Sequence, residues 1–218
     1  MAKTALLIVD VQNDFCPGGS LAVPNGDEVV EPLNLMIERF RKDDRPIFAS
    51  IDWHPEVTNH FQPYGGPWPV HCVQGTGGAL FHRNLRLTLD TVIVSKGTKK
   101  DDDAYSAFQG SAYRWGSGGG TNMSTPGQYG LLELLQARGV ETLFIGGLAT
   151  DYCVKATVLD ACRLGYKVYV LFHACRAVNL QPDDGRKAFA EMLEAGAVIS
   201  FEPHENMFMR KGKYRGAR

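Results

Sequence analysis

The feature that most constrains the fold is an alternation of short apolar runs with amphipathic stretches along the whole chain. Runs with the composition of buried strands occur at 6–9, 46–51, 91–94, 142–145, 168–172 and 197–201. Helical spacing of apolar residues marks segments between them, at 28–42, 127–138, 152–164 and 183–195. Near-continuous apolar strands separated by helices are typical of a parallel sheet covered on both faces. The sequence therefore predicts a three-layer α/β/α fold with a mostly parallel sheet of about six strands.

The chain length is that of one domain. A single hydrophobic core commonly extends to about 250 residues, so the 218 residues are expected to form a single domain over 1–218. Two long connections interrupt the alternation, at 54–83 and 98–126. The second contains a glycine run at 116–121 and is expected to be a loop insertion, either a functional lid or a disordered surface segment.

Composition excludes several classes of partner. The net charge of −1 gives no electrostatic reason to bind nucleic acid or an anionic membrane. No apolar run approaches the roughly 20 residues that span a bilayer, and the apolar run at 5–9 is too short for a signal peptide. The five cysteines are an odd number, widely spread and without a Cys-x-x-Cys pair. They indicate a reducing compartment, and a cytoplasmic location is expected.

The segment 146–155 combines the end of a strand, a glycine-rich turn and the start of a helix. Cys153 falls in the predicted first turn of that helix. Backbone N–H groups and the helix dipole at such a position favour a thiolate, so the pKa of the Cys153 thiol is expected to fall. The same N–H groups can hold a developing oxyanion. The alternative is that Cys153 is a small buried apolar residue without a chemical role.

Polar side chains follow four of the predicted strands at the point where each one ends. Asp10, Asp52 with His54, Lys96 and Cys153 follow successive strands. Ligands of open α/β sheets bind beyond the carboxyl ends of the strands. The sequence therefore predicts that these side chains share one rim of the sheet.

Asp52, His54 and His71 form a candidate metal site. Residues two apart on an extended segment face the same way, and the loop rich in proline and aromatic residues could fold His71 back onto the other two. One carboxylate and two imidazoles suit a divalent ion such as Zn, Fe or Mn. The alternative is an aspartate that caps a turn beside surface histidines. The remaining histidines are predicted to be structural, namely His60, His82, His173 and His204.

Asp10, Lys96 and Cys153 form a second candidate constellation. A carboxylate near a thiol can act as a general base, and an ammonium group stabilises the thiolate that results. The alternative is a buried Asp10–Lys96 ion pair beside an inert cysteine. Both interpretations require that the lysine is paired.

An ordered set of short motifs resembles a known family. Asp-x-Gln-Asn-Asp-Phe at 10–15, Asp-Trp-His-Pro at 52–55, Lys-Gly-Thr at 96–98, Tyr-Ser-Ala-Phe at 105–108 and Asp-x-Cys-Val at 151–154 occur in this order. Together they resemble the isochorismatase-like cysteine hydrolases, a Rossmann-like α/β family, and in particular the nicotinamidase/pyrazinamidase branch. The resemblance extends from residue 5 to about residue 200.

The resemblance implies roles for individual residues. Asp10, Lys96 and Cys153 match the catalytic triad of the family, and Asp52, His54 and His71 match its metal ligands. Leu148–Ala149 matches a dipeptide joined by a cis peptide bond, and the N–H groups of Ala149 and Cys153 match the oxyanion hole. The residues implied to contact substrate are Phe15, Trp68, Tyr105, Leu148 and Ala149. Some relatives add a ligand between the two histidines, but 62–64 offers no candidate, and water is expected there.

The implied activity is hydrolysis of nicotinamide to nicotinate and ammonia through a cysteine thioester, with pyrazinamide as a second substrate. The implied cofactor is one divalent metal ion that faces the pyridine ring, with zinc expected first and iron or manganese as alternatives. Many relatives self-associate, so a homo-oligomer is compatible with the resemblance.

Three other functions remain open. One is a related amidohydrolase for N-carbamoyl, ureido or maleamate substrates. Another is a non-haem iron oxygenase, which leaves Lys96 and Cys153 without a role. The last is a catalytically inactive binding protein on the same fold, although every candidate catalytic residue is retained.

Overall fold

The protein is described from a computed structural model, which covers residues 3–103, 105–113 and 129–201. Its strands form one mixed sheet in the order β5-β4-β3-β2-β1-β6-β7-β8. The strands are β1 Lys3–Val9, β2 Ile47–Asp52, β3 Val92–Lys96, β4 Ser111–Tyr113, β5 Tyr129–Gly130, β6 Val140–Leu148, β7 Lys167–Arg176 and β8 Val198–Ser200. The α-helices are α1 Val30–Lys42, α2 Leu131–Ala137, α3 Lys155–Arg163 and α4 Asp184–Glu194.

The predicted α/β class and mostly parallel sheet are confirmed, but the strand count is higher than six. All six expected strands are present and pair in parallel. The two additional strands, β4 and β5, pair antiparallel at one edge of the sheet. They have three and two residues, which is too short to leave a recognisable period in the sequence.

The three layers follow from the alternation of side chains along the strands. In β1, Leu6 and Ile8 pack with α1 on one face, whereas Leu7 and Val9 pack on the opposite face. That second face is covered by α2, α3 and α4, whose buried residues include Leu135, Val158, Ala161 and Met192. Because both faces of β1 are covered, it appears in the sequence as a continuous apolar run.

The order of the central strands determines where the candidate site residues meet. β3, β2, β1 and β6 are adjacent and parallel, so their carboxyl ends share one edge. Asp52 and Lys96 are directly paired in the register of β2 and β3. The predicted common rim is therefore present.

Part of the predicted insertion at 98–126 lies within the described residues. The segment 98–103 leads into a short 3-10 turn, Ala107–Gln109, and then into β4. The glycine run at 116–121 lies outside the described residues. Among the residues that are described, no helix combines the length and apolar composition needed to cross a membrane.

Candidate active site

A buried lysine lies at the centre of the site. Lys96 Nζ lies 2.9 Å from Asp10 Oδ2 and 3.4 Å from Cys153 Sγ, and it also donates to Asp52 Oδ1. The side chains of Asp10 and Lys96 are inaccessible to solvent, and Cys153 is buried. The structure thus brings the three predicted triad residues into contact and adds a direct link from Lys96 to a candidate metal ligand.

Local backbone geometry places the base and the nucleophile. Asp10 follows β1 with a φ of 49°, and its Oδ1 accepts a hydrogen bond of 2.7 Å from Ser50 Oγ on β2. Cys153 lies in a π-helical turn, Thr150–Val154, which precedes α3. The N–H groups of Tyr152 and Val154 both donate to Ala149 O at 3.1 Å. The expected cis peptide bond joins Leu148 and Ala149.

The prediction of a lowered thiol pKa is wrong. Burial raises the pKa of Cys153 well above its usual range, because the opposing effect of Lys96 is outweighed by desolvation and by the charges of Asp10 and Asp52. The thiol also donates a hydrogen bond to Asp10, which further favours the protonated form. Cys153, the candidate nucleophile, is therefore a neutral thiol that contacts its candidate base.

The three ionisable groups around Cys153 differ in pKa, and these differences suit them to different roles. Burial raises the pKa of Asp10 despite the attraction of Lys96. Burial opposes the charge of Lys96, but Asp10 and Asp52 raise its pKa well above the usual value, so it stays an ammonium ion. Burial likewise opposes ionisation of Asp52, but Lys96 and the neighbouring histidines lower its pKa overall. Asp10 is therefore the carboxylate with the greater proton affinity, as a general base requires.

The predicted metal ligands surround one point beside the triad. Asp52 Oδ2 lies 3.8 Å from His54 Nε2 and 3.9 Å from His71 Nε2. His60 joins them, because one ring nitrogen from each of His54, His60 and His71 lies within 4.8 Å of the others. All four side chains are buried.

The prediction that His60 is structural is not supported by this geometry, whereas the expected water ligand stays a prediction. The residues of the turn considered for a further ligand, Gln62–Tyr64, are exposed. The ring of His60 instead stacks on that of His54, with centroids 4.7 Å apart. The position of His60 six residues after His54 was the sequence feature that could have indicated a further ligand. Only the path of the loop shows that its side chain turns inward.

The hydrogen bonds of the imidazole rings fit a metal ion. Nδ1 of His54 contacts Gly97 O at 3.1 Å, and Nδ1 of His71 contacts Pro69 O at 2.8 Å. Carbonyl oxygens only accept, so each Nδ1 carries a hydrogen, and Nε2 is the nitrogen that offers a lone pair in the neutral ring. His54 Nε2 is buried without a hydrogen-bond partner. Burial lowers the pKa of His71 to about 4, which keeps it neutral, as ligation requires.

A cavity opens beside Cys153 and two of the candidate metal ligands, Asp52 and His71. Asp52, His71 and Cys153 contribute its polar groups. Four of the predicted substrate contacts line it, namely Phe15, Trp68, Tyr105 and Ala149. Four further lining residues were not predicted from the sequence, namely Leu21, Val23, Tyr152 and Val178.

One predicted substrate contact has a different position. Leu148 is fully buried in the core on the α1 face and is absent from the residues that line the cavity. The alternation along β6 directs its side chain into that core. The aromatic wall is instead completed by Tyr152, which packs edge-on against Trp68 at 4.8 Å, while Trp68 Nε1 donates to Tyr105 Oη at 2.9 Å.

Three polar residues missed by the sequence analysis hold the site together. Gln12 exchanges two hydrogen bonds of 2.8 Å with the backbone of Asp52. Asp14 Oδ2 accepts from the N–H of Cys72, next to the ligand His71, at 2.7 Å. Asp151 accepts from the N–H groups of Val178 and Asn179 at 2.9 and 2.8 Å. Gln12 and Asp14 belong to the motif at 10–15, and Asp151 belongs to the motif at 151–154. Membership of these motifs was the sequence feature that could have indicated their importance.

The fold and the site together define an α/β cysteine hydrolase with a divalent-metal site beside the nucleophile. The profile of the isochorismatase domain matches residues 4–202. The chain is 41% identical over 214 residues to the nicotinamidase of Escherichia coli (strain K12), covering 91% of this chain and 95% of that protein.

Solved structures agree with this class. The pyrazinamidase of Pyrococcus horikoshii in complex with zinc superposes with a TM-score of 0.79 at 40% identity, covering 91% of this chain and 98% of the other. The PnC1 protein of L. infantum in complex with nicotinate has a TM-score of 0.75 at 33% identity, covering 91% and 92%. The chain belongs to the isochorismatase family.

Proposed function

We propose that the protein is a nicotinamidase, which hydrolyses nicotinamide to nicotinate and ammonia. The observation that supports this most directly is the arrangement of the cavity. Aromatic side chains line it and suit a flat ring, and Cys153 lines the same cavity as the candidate metal ligands Asp52 and His71. The nicotinamidase and pyrazinamidase activities named for the relatives point the same way.

The triad residues perform the covalent chemistry in this proposal. Asp10 accepts the proton of Cys153 as the sulfur attacks the amide carbon, and Lys96 stabilises the negative charge that develops. The backbone N–H groups of Ala149 and Cys153 hold the tetrahedral oxyanion. Asp10 then protonates the leaving nitrogen, the C–N bond breaks, and ammonia leaves a thioester. Water adds to the thioester, and the C–S bond breaks to release nicotinate and the thiol.

Asp52, His54, His60 and His71 would hold one divalent ion, which would supply a Lewis acid for the ring nitrogen of the substrate. Zinc is the proposed ion because a histidine-rich set suits it and because the Pyrococcus relative is described with zinc. Iron and manganese are the alternatives. Pyrazinamide also carries a ring nitrogen at that position, so the same contact would orient it. We therefore propose pyrazinamide as a second substrate.

We also propose a single domain over the whole chain and a cytoplasmic location. One sheet takes strands from both ends of the described chain, and the family profile spans 4–202. All five cysteines are free, in keeping with a reducing compartment. Oligomeric state is left open.

Ammonia release tests the nucleophile assignment. Cys153→Ala should lower kcat for nicotinamide by about 10⁴-fold or more, because no other group forms the thioester. The matched control is Cys162→Ala, on the far part of α3, which should retain activity. Circular dichroism and bound-metal content should be unchanged in both variants. Substantial remaining turnover by Cys153→Ala would exclude the mechanism.

A substrate panel tests the reaction itself. Nicotinamide and pyrazinamide should release ammonia, whereas N-carbamoyl, ureido and maleamate substrates should not, because they lack a flat ring to fill the aromatic cavity. The reverse pattern would identify the related amidohydrolase instead.

A further inference from the structure

The three imidazoles of the candidate metal site are oriented by different kinds of oxygen. His54 and His71 use the backbone carbonyls of Gly97 and Pro69, which no substitution of a side chain removes. His60 Nδ1 instead contacts the carboxylate of Asp103 at 2.6 Å. Among these three imidazoles, His60 is therefore the one whose Nδ1 is held by a side chain.

The contact belongs to a docked pair of segments rather than to an isolated pair of side chains. Thr58 Oγ1 and the N–H of Asn59 both donate to Lys100 O, at 2.8 and 3.0 Å. Asn59 Nδ2 donates to Asp101 Oδ1 at 2.5 Å. Together with the contact between His60 and Asp103, these bonds join the segment 58–60 to the segment 100–103. The start of the 98–126 connection is thereby fixed against the loop that carries the metal ligands.

The His60 ring contacts Asp103 and lies beside the other two histidines of the candidate metal site. Its ring stacks on His54 and lies 5.5 Å, centroid to centroid, from His71. Because Nδ1 is bonded to Asp103, Nε2 is the ring nitrogen that remains for a metal ion. A carboxylate that accepts from Nδ1–H fixes the ring tautomer and increases the basicity of the ligating nitrogen.

We propose that Asp103 is a positioning residue for the metal site: it holds His60 in the ligating orientation and so sets how tightly the site binds a divalent cation. This inference rests on the metal site of the proposed function. It gives the acidic beginning of the 98–126 connection a role, because a surface carboxylate from that segment controls a buried ligand.

Substitution of such outer partners typically weakens metal binding by about 10- to 100-fold. The Asp103 side chain is 69% exposed, and solvent screens its charge. The effect of Asp103→Ala is therefore expected near the lower limit, about 10-fold. Asp103→Asn keeps an acceptor oxygen and should lose less than Asp103→Ala.

The test measures the dissociation constant for Zn²⁺ of the full chain by competition with a chromogenic chelator. The matched control is Asp101→Ala, which removes a neighbouring carboxylate that also bonds across the two segments but does not touch His60. Its affinity should stay within about twofold of the wild-type value. An unchanged affinity in Asp103→Ala, or an equal loss in Asp101→Ala, would overturn the proposal.

A second comparison separates positioning from a general electrostatic effect. If Asp103 acts through His60, Asp103→Ala should cause no further loss of Zn²⁺ affinity in a His60→Ala background. A full additional loss there would overturn the assignment.

Wild-type protein that binds Zn²⁺ with the expected dependence on Asp103 but releases no ammonia from nicotinamide would refute the proposed function and leave this inference standing. Wild-type protein that binds no Zn²⁺ would overturn the inference.

Discussion

Lys96 connects the candidate catalytic residues to the candidate metal site. Its ammonium group contacts Asp10, Asp52 and Cys153 in a region closed to water. A buried ammonium needs close partners to offset its desolvation, and the two carboxylates provide them. Because one lysine serves both carboxylates, a change at Asp10 alters the charge balance for Cys153 and Asp52 as well.

This charge balance predicts an unusual response to substitution of the base. Asp10→Asn should lower kcat by about 10²- to 10⁴-fold, because the amide cannot accept the thiol proton. It should also lower the pKa of the Cys153 thiol. Burial remains the largest cause of the raised pKa, but the substitution removes a carboxylate that adds to it and leaves Lys96 in place.

The thiolate absorbance of Asp10→Asn against pH checks this prediction, with the double variant Asp10→Asn, Cys153→Ala as the blank. Because a thiol ionises as pH rises through its pKa, the signal of the variant should appear at lower pH than that of the wild type. A signal at the same or a higher pH would contradict the charge assignment.

At the scale of elements, the turn that presents the nucleophile also fixes the opposite wall of the cavity. Asp151, two residues before Cys153, accepts the N–H groups of Val178 and Asn179 in the loop after β7. Val178 lines the cavity. The family motif Asp-x-Cys therefore joins β6 to the loop after β7 beside the cavity that we propose as the substrate site.

Asp151→Asn tests this connection. An amide offers one acceptor oxygen where two backbone N–H groups need one each, so a buried donor is left unsatisfied at a cost of about 1–3 kcal/mol in stability. Displacement of Val178 should raise KM for nicotinamide several-fold, with a smaller effect on kcat. Steady-state kinetics and thermal unfolding measure the two effects.

Asp184→Asn provides the control, because Asp184 accepts the N–H of Gln181 in the same region without reaching the cavity. It should leave KM unchanged. An equal rise of KM in both variants would show that the loop as a whole, and not the Asp151 contact, sets substrate affinity.

At the scale of the whole molecule, the metal site joins parts of the chain that the sheet does not connect. Asp52 lies at the end of β2, whereas His54, His60 and His71 lie along the connection that leads from it towards β3. An ion bound by all four would close this long connection onto the sheet, and binding to the folded state alone increases stability.

Removal of the metal should therefore destabilise the protein. At free Zn²⁺ of about 100 times the dissociation constant, bound metal adds about 2.7 kcal/mol, which corresponds to a Tm shift of about 5–10 °C for a chain of this size. Calorimetry with and without a chelator measures the shift. His71→Ala should respond much less to the chelator, and an equal response would place the effect elsewhere.

Most of the fold is predictable from local sequence. The strands at the centre of the sheet are buried on both faces, so each leaves a continuous apolar run, and the helices leave a periodic apolar face. The short strands β4 and β5 leave neither signal. The position of Asp10, Asp52, Lys96 and Cys153 at strand ends follows from the same pattern, because parallel strands bring their carboxyl ends to one edge.

Tertiary structure decided what depends on proximity between distant segments. The Cys153 thiol pKa was predicted to fall from its place near a helix N-terminus, yet burial and two carboxylates from other strands raise it. The inward position of His60 and its contact with Asp103 depend on two loops whose approach no local pattern encodes. Sequence by itself thus determined the elements and the chemical groups at their ends, because periodicity and residue type are local. The charge states, the approach of His60 to the other candidate ligands and the cavity walls depend on the tertiary structure, because they arise from contacts between segments far apart in the chain.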